Sequence, residues 1–169
     1  DGAVLLPGVG GNYSIIDQSG DHNTATVDQT FHNDADVLPI FLGSDIDQSG
    51  DGNTASVTQD GINGSIVDQS GDHNTATVDQ TGANFSDIDQ SGNGNTAMVT
   101  QNGLLNNSDI DQFGDDGTVT INQNGGLHDS YVGQFLGSNN TATVTQNGIG
   151  QSSSFVQIGS NNMTTITQN

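Results

Sequence analysis

The chain has 169 residues, no Lys or Arg, and 20 acidic residues, all Asp, for a formal net charge of -20. With nothing to neutralise phosphates, the charge excludes nucleic-acid binding and argues against docking on an anionic membrane surface. Only 30% of residues are hydrophobic and 5% aromatic, too few for a conventional globular core.

In chain order, residues 1–13 form an N-terminal extension containing Val4, Leu5, Leu6 and the glycines Gly8, Gly10 and Gly11. No basic n-region opens it, and no apolar run approaches the roughly 18 residues of a membrane span. Residues 14–169 are a tandem array with the pattern S-x-x-x-Q-x-G-x-x-N-x-A-x-x-x-Q. Its units start at Ser14, Ser44, Ser65, Ser86, Ser108, Ser130 and Ser153. The long first spacing comes from an insertion, residues 30–43, that contains Phe31, Val37, Leu38, Pro39, Ile40 and Phe41. The sixth unit carries one extra residue in its turn, at Phe135-Leu136-Gly137.

Two Gln columns are complete in all seven repeats. The first is Gln18, Gln48, Gln69, Gln90, Gln112, Gln134 and Gln157; the second is Gln29, Gln59, Gln80, Gln101, Gln123, Gln146 and Gln168. An Asn column runs through Asn23, Asn53, Asn74, Asn95, Asn140 and Asn162, with Gly117 in the fifth repeat. Two residues before each Gln stands an apolar residue, such as Ile16, Ile46 and Val67 before the first, or Val27, Val57 and Val78 before the second. Period two means a strand with two faces. Each repeat therefore predicts strand, turn, strand. Ser, Ile or Val, and Gln point inward on the first strand; Asn, Ala, Val and Gln point inward on the second. Turn formers such as Ser-Gly-Asp-His join them.

Such a unit cannot bury its own inner face, but stacking buries it. The expected fold is all-β: a β-solenoid of seven strand-turn-strand repeats, one per rung about 4.8 Å apart, polymerising into a cross-β fibre. Stacked Gln and Asn amides can donate to one neighbour and accept from the next, which satisfies groups that are costly to bury alone. Polymerisation is expected without ligand or cofactor.

The paired Gln, the Gly-x-x-Asn turn and the Asn-x-Ala step, repeated from Ser14 to Asn169, resemble the curlin repeat. Curlins are subunits of curli, the extracellular amyloid fibres of bacterial biofilms. The resemblance implies a left-handed solenoid, secretion as an unfolded chain through an outer-membrane pore, and nucleated polymerisation at the cell surface. The implied partners are further copies of the chain, a nucleator subunit and the pore. Seven regular repeats favour the major subunit over the nucleator. By the same resemblance residues 1–13 would direct secretion.

The remaining polar groups read as structural. His22 and His73 share a turn position, but two rungs, about 9.6 Å, separate them; with His32 and His128 they read as turn residues rather than metal ligands. No G-x-S-x-G elbow accompanies the Ser column, so no catalytic site is expected. Asp87-x-Asp89 and Asp109-x-Asp111 read as solvated outer-face charge. A second outer-face column, Asp17, Asp47, Asp68, Asp89 and Asp111, ends in Gly133 and Val156. The rival function is ice binding by a soluble solenoid through Thr24/Thr26, Thr75/Thr77, Thr118/Thr120 and Thr141/Thr143. Met98 and Met163 interrupt that array, and the seventh repeat runs to Asn169 with no polar cap after it.

Overall fold

The computed structural model describes residues 13–30 and 43–169. The expectations for the N-terminal extension and for the body of the insertion lie outside the described residues. Within them the fold is all-β, with no helix. The strands are β1 (Tyr13–Ser19), β2 (Thr24–Thr30), β3 (Gly43–Ser49), β4 (Thr54–Gly61), β5 (Gly64–Ser70), β6 (Thr75–Ser91), β7 (Thr96–Gln112), β8 (Thr118–Gly126), β9 (Asp129–Phe135), β10 (Thr141–Ile149), β11 (Ser152–Ile158) and β12 (Met163–Gln168). β6 and β7 are long because each runs through the corner from one repeat into the next.

All pairing is parallel and, apart from one shift where β6 meets β7, in register. One ladder runs β1-β3-β5-β6-β7-β9-β11. The other runs β2-β4-β6-β7-β8-β10-β12. Every repeat thus forms one turn of a β-solenoid, seven rungs in all. The expected all-β solenoid of stacked strand-turn-strand repeats is what the chain adopts.

The period-two reading of each strand sets the core. Ile46, Val67, Ile88, Ile110 and Val132 meet Val57, Val78, Val99, Ile121 and Val144 across the interior, each at most 1% exposed. Ala55, Ala76, Ala97 and Ala142, with Val119, fill the narrow side. Ile16, Ala25, Val27 and Phe155 in the outer rungs are only partly covered, because a rung buries its faces against two neighbours.

Two kinds of corner connect the strands. The first corner lies within a repeat, and its glycines stack so closely that a Cβ on Gly50 would sit 2.1 Å from the Gly71 carbonyl oxygen. No other residue fits there. Two positions on, the chain turns through the left-handed region, at His22, Gly52, His73, Gly94, Asp116, Asn139 and Asn161. The second corner lies between repeats. From the fourth repeat onward it holds one more residue, Leu105, Leu127 or Gly150, each with positive φ. That residue explains why the spacing grows from 21 to 22, and it appears as a register shift between Ala83 and Phe85 where β6 meets β7.

Candidate functional site

The functional surface of a stacked solenoid is its column chemistry. The sequence-predicted Gln columns form two unbroken amide ladders. In the first, Gln48 Nε2 donates to Gln69 Oε1 at 2.6 Å, Gln69 to Gln90 at 2.8 Å, Gln90 to Gln112 at 2.9 Å, Gln112 to Gln134 at 3.0 Å and Gln134 to Gln157 at 2.8 Å. In the second, Gln29 donates to Gln59 and the chain continues through Gln80, Gln101, Gln123 and Gln146 to Gln168, at 2.7 to 2.9 Å.

Most of these amides also donate to a backbone carbonyl of the facing strand. Gln90 reaches Thr75 O at 3.1 Å, and Gln101 reaches Phe85 O at 2.9 Å. Where Nε2 faces two acceptors, only one amide orientation satisfies the network. All the ladder bonds therefore run the same way, donor toward the C-terminal rung.

The Asn column bonds differently. Asn53 N–H donates to Asn23 Oδ1, Asn74 to Asn53, Asn95 to Asn74 and Asn162 to Asn140. The Nδ2 groups donate to first-corner glycine carbonyls, as Asn53 does to Gly71 O at 2.8 Å. At Gly117 the backbone N–H still donates to Asn95 Oδ1, but no side chain carries the column onward. The Ser column is inward as expected. Ser65, Ser86, Ser108 and Ser153 Oγ have no hydrogen-bond partner, which fits a small packing residue.

One buried column was not singled out from the sequence. Asn63, Asn84 and Asn106 line the second corner, and His128 and Gln151 follow in the same place. Asn84 N–H donates to Asn63 Oδ1, Asn106 to Asn84, His128 to Asn106, and Gln151 to His128 Nδ1 at 3.3 Å. His128 is 1% exposed, so its reading as a turn residue is corrected: it replaces an Asn in a buried ladder. His22 and His73 do lie exposed in the first corner. His32 is outside the described residues. The signal for the missed column was present, because each member stands two residues before a repeat Ser, extending the same alternation one step.

The outer faces differ sharply. Register places Asp17, Asp47, Asp68, Asp89 and Asp111 one above another, followed by Gly133 and Val156. Beside them run Asp45, Ile66, Asp87, Asp109 and Tyr131. Partial burial, and then the stacked carboxylates, push Asp68 and Asp87 above the usual range and raise Asp89 and Asp109 to about 6. Tyr131 closes the cluster by donating its hydroxyl to Asp111 at 2.8 Å. Burial, with that bond second, raises its own pKa to about 12. The first-corner Asp residues act as acceptors for the rung before: Asp51 Oδ1 takes the Asp21 N–H, and Asp72 takes that of Asp51. Among the described residues no group of three or more His, Cys, Asp or Glu is placed to hold a metal ion.

On the strand-two side, Thr75 pairs with Thr96, Thr96 with Thr118, and Thr118 with Thr141, while Met98 separates Thr77 from Thr120. Charge there is limited to Asp28 and Asp79, with Asp60 at the end of β4.

Comparison with known proteins adds the family. The family model for the curlin associated repeat matches residues 10–30, 83–114, 114–148 and 137–169, together more than half of the chain. No curated protein matches it. The second and third repeats lie outside those matches, yet they stack in the same ladders and the same register as the rest. On the match to the repeat and on the solenoid it builds, the chain belongs to the curlin-repeat family.

Proposed function

We propose that the chain is a structural subunit of an extracellular curli-type amyloid fibre of the biofilm matrix. The carrying observation is the pair of one-directional amide ladders. Such a ladder has no internal reason to stop: Gln18 at one outer rung and Gln168 at the other are where it would pass into a neighbouring copy. A head-to-tail contact that does not close generates a filament. The outer strands also leave backbone edges that template another rung.

The family is structural rather than enzymatic, and the buried Ser and Gln columns serve packing and stacking. Residues 1–13 would then direct export through an outer-membrane pore, and a nucleator subunit would start growth on the cell surface.

The test is purified protein left at room temperature and viewed by electron microscopy and fibre diffraction. Unbranched fibres with a reflection near ~4.8 Å along the axis are expected. A chain that stays monomeric for days at tens of micromolar overturns the fibre reading. It would favour the Thr face as an ice-binding surface, with thermal hysteresis as the assay.

A further inference from the structure

Two leucines on the second corner stand in a backbone conformation that leucine avoids. Leu105 has φ 60° and Leu127 has φ 58°. There the Cβ crowds the following carbonyl, a penalty that glycine escapes. One rung further the same place is held by Gly150, with φ 73°, so the corner itself does not require leucine. Nor does the strain gain burial, since Leu105 is 66% exposed and Leu127 58%. Strain retained without benefit inside the molecule points to a benefit outside it.

These leucines have apolar company. Leu104 is 61% exposed and Ile149 78%. Leu127 N–H donates to the Leu104 carbonyl, and Gly126 pairs with both Leu104 and Ile149. The four residues therefore follow one another along the axis, on the corners after the fourth, fifth and sixth rungs. Ile62 extends the line toward the N-terminal rungs, 40% exposed. An apolar stripe of this kind marks an interaction surface.

We propose that this stripe is the lateral contact between fibres, and that its occupant is the same stripe on a second copy of this chain in a neighbouring fibre. The proposal rests on the fibre reading above. Charge narrows the choice to the second corner and the strand-two face, and the exposed apolar residues select the corner. Copies of net charge -20 meet with least repulsion where carboxylates are fewest. The strand-one face carries Asp45, Asp47, Asp68, Asp87, Asp89, Asp109 and Asp111, and the first corner carries Asp51, Asp72, Asp115 and Asp116. Over the same rungs the second corner carries only Asp60 and Asp129, and Asp129 already accepts from Asn107 Nδ2 at 2.9 Å.

Area selects the fibre over the monomer. The stripe on one copy offers on the order of a few hundred Å², below the roughly 800 Å² per partner of a stable pair. Single copies therefore stay unpaired. A fibre repeats the stripe in every subunit, and the contacts add.

The deciding variant is the full chain carrying Leu105→Asn and Leu127→Asn. Asn suits the left-handed region, as Asn139 and Asn161 show in the first corner. Fibre width is read by electron microscopy, bundling by light scattering, elongation on sonicated parent seeds, and stability by thermal unfolding of fresh monomer. Parent fibres should bundle. The variant should give single fibres, elongate within about twofold of parent, and unfold at the same or a higher temperature because strain is relieved. Bundling equal to parent overturns the proposal. So does a lower unfolding temperature, which would show that the leucines pack within their own chain. A variant that no longer elongates would assign the stripe to axial stacking instead. A companion, Thr120→Asp with Thr143→Asp, tests the other weakly charged face: if it alone separates the bundles, the contact lies there and the leucine stripe is not it. A parent that forms no fibres at all removes the fibre reading and this proposal with it.

Discussion

Gln90 and Asp89 are neighbours in sequence, and so are Gln112 and Asp111. The parallel register stacks Gln90 on Gln112 and Asp89 on Asp111. The same one-rung step therefore has opposite energetic signs on the two sides of one strand. Inside, an amide carries both donor and acceptor, so a column of identical residues is self-complementary; Gln90 donates to Gln112 at 2.9 Å. Outside, a carboxylate is acceptor-only and charged, so identical residues oppose one another. At one rung's separation two exposed carboxylates repel by on the order of 1 kcal/mol in water. A stacked repeat rewards residues that can bond to copies of themselves and penalises those that cannot.

The largest effect that would break this comparison is inside. Gln90→Leu should remove the partner of both Gln69 and Gln112, leaving an orphan donor on one and an orphan acceptor on the other. Each buried orphan costs about 1–3 kcal/mol, so several kcal/mol of monomer stability should disappear, as denaturant unfolding would show. Gln18→Leu and Gln168→Leu each disturb only one intramolecular ladder bond. They should cost less in the monomer but slow seeded elongation more than Gln90→Leu does. Equal elongation defects at all three positions would mean that the ladders do not continue between copies.

The intermediate effect is outside. Asp89→Asn and Asp109→Asn exchange acceptor-only groups for self-complementary ones. Both carboxyls have folded-state pKa values raised to about 6, burial first and neighbouring carboxylates second. The folded chain thus binds protons more readily than the unfolded chain. The parent should be most stable below about pH 4, lose stability as the pH rises through about 6, and change little above that. Solvent screening limits the gain from each substitution at pH 7 to on the order of 1 kcal/mol. The double variant should also flatten the pH profile between 4 and 6, measured by thermal unfolding. An unchanged slope would show that the outer column is too well solvated to matter. The end of that column is best probed with Val156→Asp. Gly133, across from it, is unsuitable for the purpose, because a Cβ there would lie 2.5 Å from the Phe135 ring.

How much of this was legible follows from the same logic. The Gln, Asn, Ser and apolar columns could be read because period two and the repeat spacing both point to them. The Asn63-Asn84-Asn106 column obeyed the same rule one step earlier, but its last members, His128 and Gln151, hid the repetition. The left-handed leucines could not be read: leucine gives no turn signal, and the extra residue in the corner becomes visible only when β6 and β7 are laid side by side. The raised carboxyls at Asp89 and Asp109 depend on how deeply neighbouring rungs cover them, and spacing alone does not supply that.

The smallest effect, and the sharpest test of self-complementarity, lies at His128. Its neighbours in the column are Asn106 below and Gln151 above. Nδ1 accepts the Gln151 N–H at 3.3 Å, and Nε2 lies 3.4 Å from the Asn124 carbonyl. That arrangement requires the proton on Nε2 and a bare Nδ1. The neutral ring can then play the amide's double role. The only charged side chain next to it in sequence is Asp129, which points to the outer face and bonds Asn107. His128→Phe keeps an aromatic ring in the corner but offers the Gln151 N–H no acceptor. Amide exchange at Gln151 should quicken in that variant, while the other corners stay as they were. His128→Asn, which restores the residue of Asn63, Asn84 and Asn106, should keep exchange at Gln151 close to that of the parent. The loss in the Phe variant is local, about one hydrogen bond or roughly 1 kcal/mol. If Gln151 exchanges at the same rate in all three proteins, the ring does not substitute for an amide in this column.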